Sequence, residues 1–163
     1  MTVAMVMLAE RVRLDGVVLI GLIVPLGASA VLVLGMPAAS VSQPRRLLGG
    51  HGLGALVGVA ADRLPGAGLP LAAGVGVAGA LAVMEITRTL HPPAGGSALL
   101  AVIGGDQVHA LGFAYVLVPV LAGAVVLLAV AVAVSAAGGR SYPVSCGDER
   151  RDDRGIPGRA RRA

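Results

Sequence analysis

The chain has 163 residues, of which 56% are hydrophobic and only 13% are charged. So few charged residues cannot cover the surface of a water-soluble domain of this size, which excludes a soluble globular protein. The net charge of +4 does not indicate nucleic-acid binding, because seven arginines and four acidic residues in the tail after the last apolar run account for +3 of it.

Three long runs contain no Asp, Glu, Lys or Arg, and they cover residues 16–44, 64–84 and 107–139. A run of about 18 or more apolar residues is long enough to cross a bilayer. The sequence therefore predicts an all-helical integral membrane protein whose surroundings are the lipid bilayer. The N-terminal stretch "MTVAMVMLAERVRLDG" places its charges after its apolar part, the reverse of a signal peptide, so we expect the first span to be retained.

These runs and the breaks between them predict a polytopic bundle with four transmembrane helices. The transmembrane domain is expected over residues 16–137, between a short cytoplasmic N-terminus (1–15) and a disordered, Arg-rich cytoplasmic tail (138–163). Asp62, Arg63 and the following Leu-Pro-Gly predict a tight turn between the second and third spans. The predicted spans are residues 16–36, 45–61, 69–89 and 110–136.

The segment 94–105 is too short to cross as a helix of its own. Its twelve residues would form a helix of about 18 Å, against a hydrocarbon core of about 30 Å. It overlaps the stretch "TLHPPAGGSALL", in which two prolines and two glycines interrupt the apolar chain. The length predicts a re-entrant half-helix that enters the membrane and turns back. If the segment crossed instead, there would be five spans and the tail would change sides.

The arginines orient the predicted spans. Cytoplasmic loops carry an excess of Arg and Lys, which places the Arg-rich tail inside. With four spans the N-terminus is cytoplasmic as well, and we expect a multi-pass protein of a bacterial cytoplasmic membrane. Arg45, Arg46 and Arg88 would then lie on the outer side, against the rule, so a functional role is expected for them.

The second proline break predicts an anion site at a helix N-terminus. Pro93 suits the first position of a helix, where the N–H groups of Gly95 and Gly96 would have no partner within the helix. Such groups, together with the helix dipole, attract anions. Alternatively, Pro92 and Pro93 only end the third span and the glycines only pack. His91 could cap the half-helix, bind substrate or carry a proton.

The first proline break has the same design. Gln43 precedes Pro44, which opens the second span, and the first turn adds the charges of Arg45 and Arg46. His51 follows one or two turns later. We therefore expect this segment to contribute to the same substrate-binding site as the second break.

A short internal sequence repeat relates the two proline breaks. The segments "GGHGLGALVG" (49–58) and "GGSALLAVIG" (95–104) are identical at five of ten positions and lie 46 residues apart. Each follows a long apolar run and a proline. The pattern indicates two tandem copies of span, break and glycine-opened helix that point the same way.

Two further groups of residues have a structural and a functional interpretation. Gly50, Gly54 and Gly58 are spaced four apart, which is typical of close helix packing, within the chain or in an oligomer. Glu85 and Arg88 are three apart on one helix face, so a local ion pair is expected. Ionisable residues within membrane segments are commonly functional, so a gate or coupling pair is the alternative.

No motif predicts catalysis, a metal or a cofactor. Ser97 has no identifiable base partner, so no nucleophile and no catalytic residue are expected. His51, His91 and His109 lack the spacing of a metal site, and the only cysteine, Cys146, lies in the tail. His109 is expected to be solvated at a membrane boundary.

The stretches "SQPRRLLGGHGLGALVGV" and "EITRTLHPPAGGSALLAVIGG" resemble the HPP family of integral membrane proteins, which is named for its His-Pro-Pro motif. The resemblance covers about residues 15–136. This chain departs from the family at Arg46, where relatives commonly have a polar residue such as Asn, and its tail is too short for the CBS-type domains of some relatives. The family positions that it matches are Gln43, Pro44, Arg45, Gly49, Gly50, His51, His91, Pro92, Pro93, Gly95 and Gly96.

The resemblance implies four transmembrane helices and a transport role, since some plant and cyanobacterial relatives are associated with nitrite transport. We therefore expect a transporter or channel for a small inorganic anion, with nitrite as the suggested substrate. Four short spans are few for a complete pathway, so a homo-oligomer is expected. The alternative is a non-transporting membrane subunit whose breaks serve only packing or partner docking.

Overall fold

A computed structural model describes residues 16–144 of the chain. No strand occurs in this part, so the all-helical prediction is confirmed. A short 3-10 turn, Ser40–Ser42, precedes the second helix, and a π-helical stretch, Val116–Leu121, leads into the last one. The α-helices are α1 (Gly16–Gly35), α2 (Pro44–Asp62), α3 (Leu69–Ile86), α4 (Ala94–Ile103), α5 (Gly105–Leu111) and α6 (Ala122–Ala137).

Helix α2 is the central helix, and its most extensive contacts are with α3 and α4. Glycines on α2 make the approach of α4 possible. A Cβ at Gly54 would lie 2.6 Å from the carbonyl oxygen of Ala94, and one at Gly58 would collide with the carbonyl oxygen of Ala98. Because successive glycines of α2 face successive turns of α4, the two helices run parallel.

The last helix runs antiparallel to α2. Leu121, just before α6, lies beside Gly52, whereas Leu127 and Ala131 pack with Leu47 near the start of α2. These contacts define two ends of the bundle. We call the end where α2 begins the break end, and the end where α2 finishes, at Asp62, the turn end.

The chain that follows α4 lies at the turn end. His109 of α5 places its Nε2 3.4 Å from an Asp62 carboxylate oxygen. The guanidinium carbon of Arg63 lies 4.4 Å from the ring centroid of Phe113, just after α5. Since α4 starts midway along α2 and leads to this end, the predicted half-helix that turns back is wrong: the segment passes through the bundle.

The non-helical break supplies the length that α4 lacks. Thr89 packs on Gly49 and His91 packs on Gly50, so the chain between α3 and α4 already runs beside the first turns of α2. The non-helical segment between Ile86 and Ala94, together with α4, extends along the length of α2. The described chain therefore passes between the two ends five times, and Gly16 and Val144 lie towards opposite ends. Within residues 16–144, this differs from the even number of passes that the sequence predicts.

Two predicted boundaries also move. The third helix ends at Ile86 rather than at residue 89. The last span begins at Val116 rather than at residue 110, because α5 ends at Leu111 and the following Gly112 has a φ of 51° and a ψ of −130°, which suit a glycine.

The first residues of the predicted tail are ordered against the bundle. Tyr142 is 7% exposed, packs in the same core cluster as Leu47, and donates its hydroxyl to the Ser42 carbonyl oxygen at 2.8 Å. The backbone N–H of Val144 donates to the side chain of Gln43 at 3.1 Å. The prediction of disorder is thus wrong for residues 138–144, whereas residues 1–15 and 145–163, with Cys146, lie outside the described residues.

Two of the described helical segments are long and apolar enough to cross a membrane by length and composition. They are Leu69–Ile86 and Val116–Ala137, and they coincide with the third and fourth predicted spans. Val24–Gly35 and Ala94–Ile103 are shorter apolar helices. Helix α2 carries charge at both ends, because Arg45 and Arg46 lie in its first turn and Asp62 is its last residue.

Candidate functional site

An arginine-lined cavity opens at the break end of the bundle. Its volume is about 400 Å³. Three of its lining side chains are cationic, and no described acidic side chain lines it, so its electrostatic potential favours anions. The lining residues are Gln43, Pro44, Arg45, Arg46, Arg88, Pro143 and Val144. The structure thus brings the first proline break together with Arg88 of the second.

Local contacts hold two of the three arginines at this cavity. Arg45 donates from its guanidinium to the carbonyl oxygen of Thr87 at 3.2 Å, which ties α2 to the second break. Arg46 donates to the hydroxyl of Ser40 at 3.1 Å. Each guanidinium carries five N–H donors, so one such bond leaves most of them available to an anion.

Gln43 shapes the cavity wall rather than presenting a donor to it. Its side-chain amide donates to the carbonyl oxygens of Pro37 at 2.9 Å and Ala39 at 3.2 Å, and its amide oxygen accepts the N–H of Val144. The side chain is 8% exposed. It therefore joins the α1–α2 connection to the C-terminal segment, and Pro44 then starts α2 at its first position.

The structure does not contain the predicted Glu85–Arg88 ion pair. Helix α3 ends at Ile86, and Arg88 has a left-handed backbone with φ of 55°. The two side chains therefore do not share a helix face, and no salt bridge joins them in the described part of the chain. Arg88 instead lines the arginine cavity, so a gate or coupling pair formed by these two residues has no support in this geometry.

The predicted anion site at the start of α4 is also corrected. The N–H groups of Ala94, Gly95 and Gly96 donate to the carbonyl oxygens three residues earlier, at 2.9, 3.1 and 3.0 Å. The turn made by Pro92 and Pro93 supplies two of these oxygens, which leaves no bare N–H groups for an anion. Gly96 serves packing, because a Cβ there would lie 3.0 Å from the ring of Pro25 in α1.

His51 and His91 meet in the interior and do not line the arginine cavity. Both side chains are fully buried, and their ring centroids are 5.1 Å apart. The hydroxyl oxygen of Ser29, from α1, lies 2.8 Å from the Nε2 atoms of both rings. On the far sides, His51 Nδ1 lies 2.8 Å from the Ser97 hydroxyl and His91 Nδ1 lies 2.7 Å from the Val41 carbonyl oxygen. We call these five residues the histidine cluster.

The chemistry of the partners assigns the protons of the histidine cluster in its neutral form. A carbonyl oxygen only accepts, so His91 carries its proton on Nδ1 and its Nε2 accepts from Ser29. Ser29 then accepts from Nε2–H of His51, and His51 Nδ1 accepts from Ser97. The hydrogen bonds run in one direction, from Ser97 to the carbonyl of Val41.

Sequence reasoning missed Ser29 and Tyr115. Ser29 is the only hydrogen-bonding side chain in the sequence of α1, which is a signal that could have identified it. Tyr115 is fully buried and donates its hydroxyl to the Ser97 carbonyl oxygen at 3.0 Å, which fixes the turn of α4 that carries Ser97. Nothing in the local sequence around Tyr115 indicates this contact.

The glycine face of α2 is used inside the chain. A Cβ at Gly50 would lie 2.6 Å from the Cβ of His91, and Gly54 and Gly58 face α4. This face is therefore covered and does not provide the contact between copies that was considered for it. His109 differs from expectation as well, because it is not simply solvated: it contacts Asp62 and the Val102 carbonyl oxygen, at 3.0 Å from the latter.

No metal centre is formed by the described residues, since no three His, Cys, Asp or Glu side chains gather among them. The polar interior is also closed. Every buried side-chain nitrogen or oxygen in the described part has a hydrogen-bond partner. The two features that can carry chemistry are thus the open arginine cavity and the closed histidine cluster.

Comparison with known proteins identifies the family. The chain is 39% identical over 121 residues to one transmembrane protein of Dictyostelium discoideum and 38% identical over 121 residues to another. These alignments cover 72% of this chain but only 42% and 39% of the relatives, so the chain spans less than half of their length. No solved structure matches. The profile of the family described as "HPP, transmembrane region" matches residues 1–143, and the chain therefore belongs to the HPP family of membrane proteins.

Proposed function

We propose that this chain forms a transporter or channel for a small inorganic anion, and that the arginine cavity is the mouth through which the anion enters or leaves. The observation that carries the proposal is the convergence of Arg45, Arg46 and Arg88 on one cavity without an acidic neighbour in its lining. Guanidinium groups bind oxyanions through paired N–H donors, which suits a planar ion with two oxygens. The family resemblance suggests nitrite as the first substrate to test.

The fold supports a cytoplasmic position for this mouth. Five passes across a bilayer would place the two ends of the bundle on opposite sides. The break end carries four arginines and one acid among the described residues, whereas the turn end carries one arginine and two acids, so the positive-inside rule favours a cytoplasmic break end. The residues are Arg45, Arg46, Glu85, Arg88 and Arg140 at the break end, and Asp62, Arg63 and Asp106 at the turn end.

This orientation removes the conflict that the arginines present in a four-span arrangement. Arg45, Arg46 and Arg88 no longer oppose the rule, because they lie at the same end of the bundle as Val144, after which the Arg-rich sequence continues. Their charge therefore does not by itself indicate function; their convergence on a cavity does. A homo-oligomer stays part of the proposal, since one short bundle offers few helices for a complete pathway.

Flux measurements test the proposal. The purified chain is reconstituted into liposomes, and the uptake of nitrite, nitrate, formate and chloride is measured with each variant beside the wild type. We expect Arg45→Gln/Arg88→Gln to raise the half-saturating concentration at least about tenfold, because a hydrogen bond to a charged group contributes about 1.5–3 kcal/mol. Arg63→Gln, at the turn end, is the matched control and should leave this concentration within about twofold.

Two results would contradict the proposal. One is the absence of flux above protein-free liposomes for all four anions. The other is an unchanged half-saturating concentration in the double variant, which would show that the cavity does not bind the transported ion.

The closed interior favours one second candidate, a non-transporting membrane subunit. A bundle whose buried polar atoms are all paired, as in the described part of this chain, is what a purely structural core requires. In that case the wild type shows no flux, and a stable membrane partner is purified together with the chain from its native source.

A further inference from the structure

The histidine cluster has one more contact at hydrogen-bonding distance than the protons of its neutral form can satisfy. The Ser29 oxygen has three partners within bonding distance: His51 Nε2, His91 Nε2 and, at 2.9 Å, the Pro25 carbonyl oxygen. A hydroxyl has one proton to donate and two lone pairs to accept. In the neutral cluster Ser29 must donate to His91, so the contact with Pro25 cannot be a hydrogen bond.

One added proton satisfies all the contacts. If a proton binds to His91 Nε2, that nitrogen becomes a donor to Ser29, and the Ser29 hydroxyl turns to donate to Pro25. His91 keeps its bond to the Val41 carbonyl oxygen through Nδ1–H. His51 still donates from Nε2 to Ser29 and still accepts from Ser97 through Nδ1. The proton balance is simple: one proton enters, no covalent bond breaks, and the cluster gains one positive charge.

A second proton has no comparable place. It would have to bind His51 Nδ1, which would turn this nitrogen from an acceptor into a donor and would leave two imidazolium rings with centroids 5.1 Å apart. Two like charges at that distance in a buried site repel strongly. The geometry therefore fits the uptake of one proton and opposes the uptake of two.

The surroundings of the histidine cluster contain no other described group that would neutralise the charge. Ser29 and Pro25 come from α1, Ser97 from α4 and Val41 from the connection before α2. The neighbouring titratable group is Tyr115, which contacts the Ser97 carbonyl rather than a ring. The described arginines and carboxylates lie at the two ends of the bundle. A mobile anion is thus the natural partner for the charge.

We propose that the histidine cluster is a binding site for a single proton and that this proton moves together with the anion of the proposed transport function. The arginine cavity is close along the chain, since Val41, which accepts from His91, is two residues from Gln43 in the cavity wall. One imidazolium and one monovalent anion make a neutral pair, whose passage does not move net charge across the membrane. The coupling rests on the proposed function, whereas the proton site does not.

The proton site is tested without transport, by following the histidine nitrogens with ¹⁵N NMR. The full chain is labelled at histidine and carries His109→Asn, so that only the two buried rings are observed in lipid. Near pH 8 we expect His91 to be protonated on Nδ1 and His51 on Nε2. On acidification towards pH 4, the pair should take up one proton, which appears on His91 Nε2. Two neutral rings throughout the range, or uptake of two protons, would overturn the assignment.

The coupling is tested in liposomes with a pH gradient. For one proton per monovalent anion, a gradient of one pH unit, acidic outside, should give about tenfold accumulation of nitrite inside, because one pH unit corresponds to a factor of ten in the equilibrium. An imposed membrane potential should have no effect. His91→Asn should abolish accumulation, and His109→Asn should leave it unchanged.

The outcomes separate the two proposals. Nitrite flux that ignores the pH gradient would overturn the coupling and leave anion transport intact. An absence of wild-type flux would overturn the proposed function, and the coupling with it, while the NMR titration still decides the proton site. Ser29→Ala adds a check, because the two rings should then titrate without the shared hydroxyl, provided that circular dichroism shows a folded bundle.

Discussion

The contact between α2 and α4 predicts a large effect from the smallest possible substitution. In Gly54→Ala, the new Cβ would lie 2.6 Å from the Ala94 carbonyl oxygen and 3.3 Å from its carbonyl carbon. Ordinary contact begins at 3.4 Å, so the nearer atom is about 0.8 Å too close. Because the obstacle is backbone, no side-chain rotation relieves the clash, and the two helices must move apart.

The expected loss of stability follows from two opposing terms. Overpacking in a well-packed core costs typically 1–3 kcal/mol, and the backbone contact places this variant near 3 kcal/mol. Replacing glycine by alanine inside a helix recovers about 1 kcal/mol. We therefore expect Gly54→Ala to lower the free energy of unfolding by about 2 kcal/mol.

Gly74→Ala is the matched control for helix propensity. Gly74 lies in α3, and a Cβ there would meet nothing within 4 Å, so only the propensity gain of about 1 kcal/mol applies. The two variants should thus differ by about 3 kcal/mol. The chain has no Trp, so unfolding by SDS in mixed micelles is followed by far-UV circular dichroism. Equal stability of the two variants would refute the close packing of α2 on α4.

Three further predictions concern Tyr142, Gln43 and the two ends of the described chain. Burial raises the pKa of Tyr142 to about 12, above the value of about 10 in an unfolded chain. The neutral phenol therefore stabilises the fold below pH 10, and this contribution is lost as the pH rises towards 12. Denaturation by SDS should show a steeper loss of stability over this pH range in the wild type than in Tyr142→Phe, and parallel curves would contradict the prediction. Gln43→Leu leaves the Val144 N–H without its partner and should cost about 1–3 kcal/mol in the same assay, and a stability equal to that of the wild type would contradict this contact. The single Cys146, two residues after Val144, should react with an impermeant maleimide only from the cytoplasmic side. In a Cys146→Ser chain, a cysteine placed just before Gly16 should react with it only from the outside. Labelling of both cysteines from the same side would rule out five passes.

The sequence is sufficient for the helical class, the breaks and the family, because each depends on local composition. Charge-free runs and proline positions mark three helix starts to within one residue, at Pro44, Leu69 and Ala94. It is not sufficient for the fate of the backbone N–H groups after Pro93. Helical positions predict them to be unpaired, but the carbonyl oxygens of His91, Pro92 and Pro93 accept them. These hydrogen bonds depend on the path that the second proline break takes across α2, and the local sequence pattern does not determine that path.

The histidine cluster was beyond local reasoning for a different reason. Its members come from α1, the connection before α2, α2, the second break and α4, so no spacing along the chain relates them. The sequence did contain one indirect signal. His51 and Ser97 occupy the same position in the two repeated segments, 49–58 and 95–104. In the structure, His51 Nδ1 lies 2.8 Å from the Ser97 hydroxyl oxygen.

That contact explains why the length of α4 was a misleading guide to topology. Two tandem units that point the same way must each contain an even number of passes, so that the second unit starts from the end where the first one started. In the structure, α1 with α2 forms one such unit and α3 with α4 the other, and α2 and α4 therefore run parallel. A half-helix that turned back would have broken this relation and separated His51 from Ser97. The crossing of α4, the parallel glycine contact and the closed histidine cluster are thus consequences of one duplicated arrangement, to which α6 adds the fifth pass.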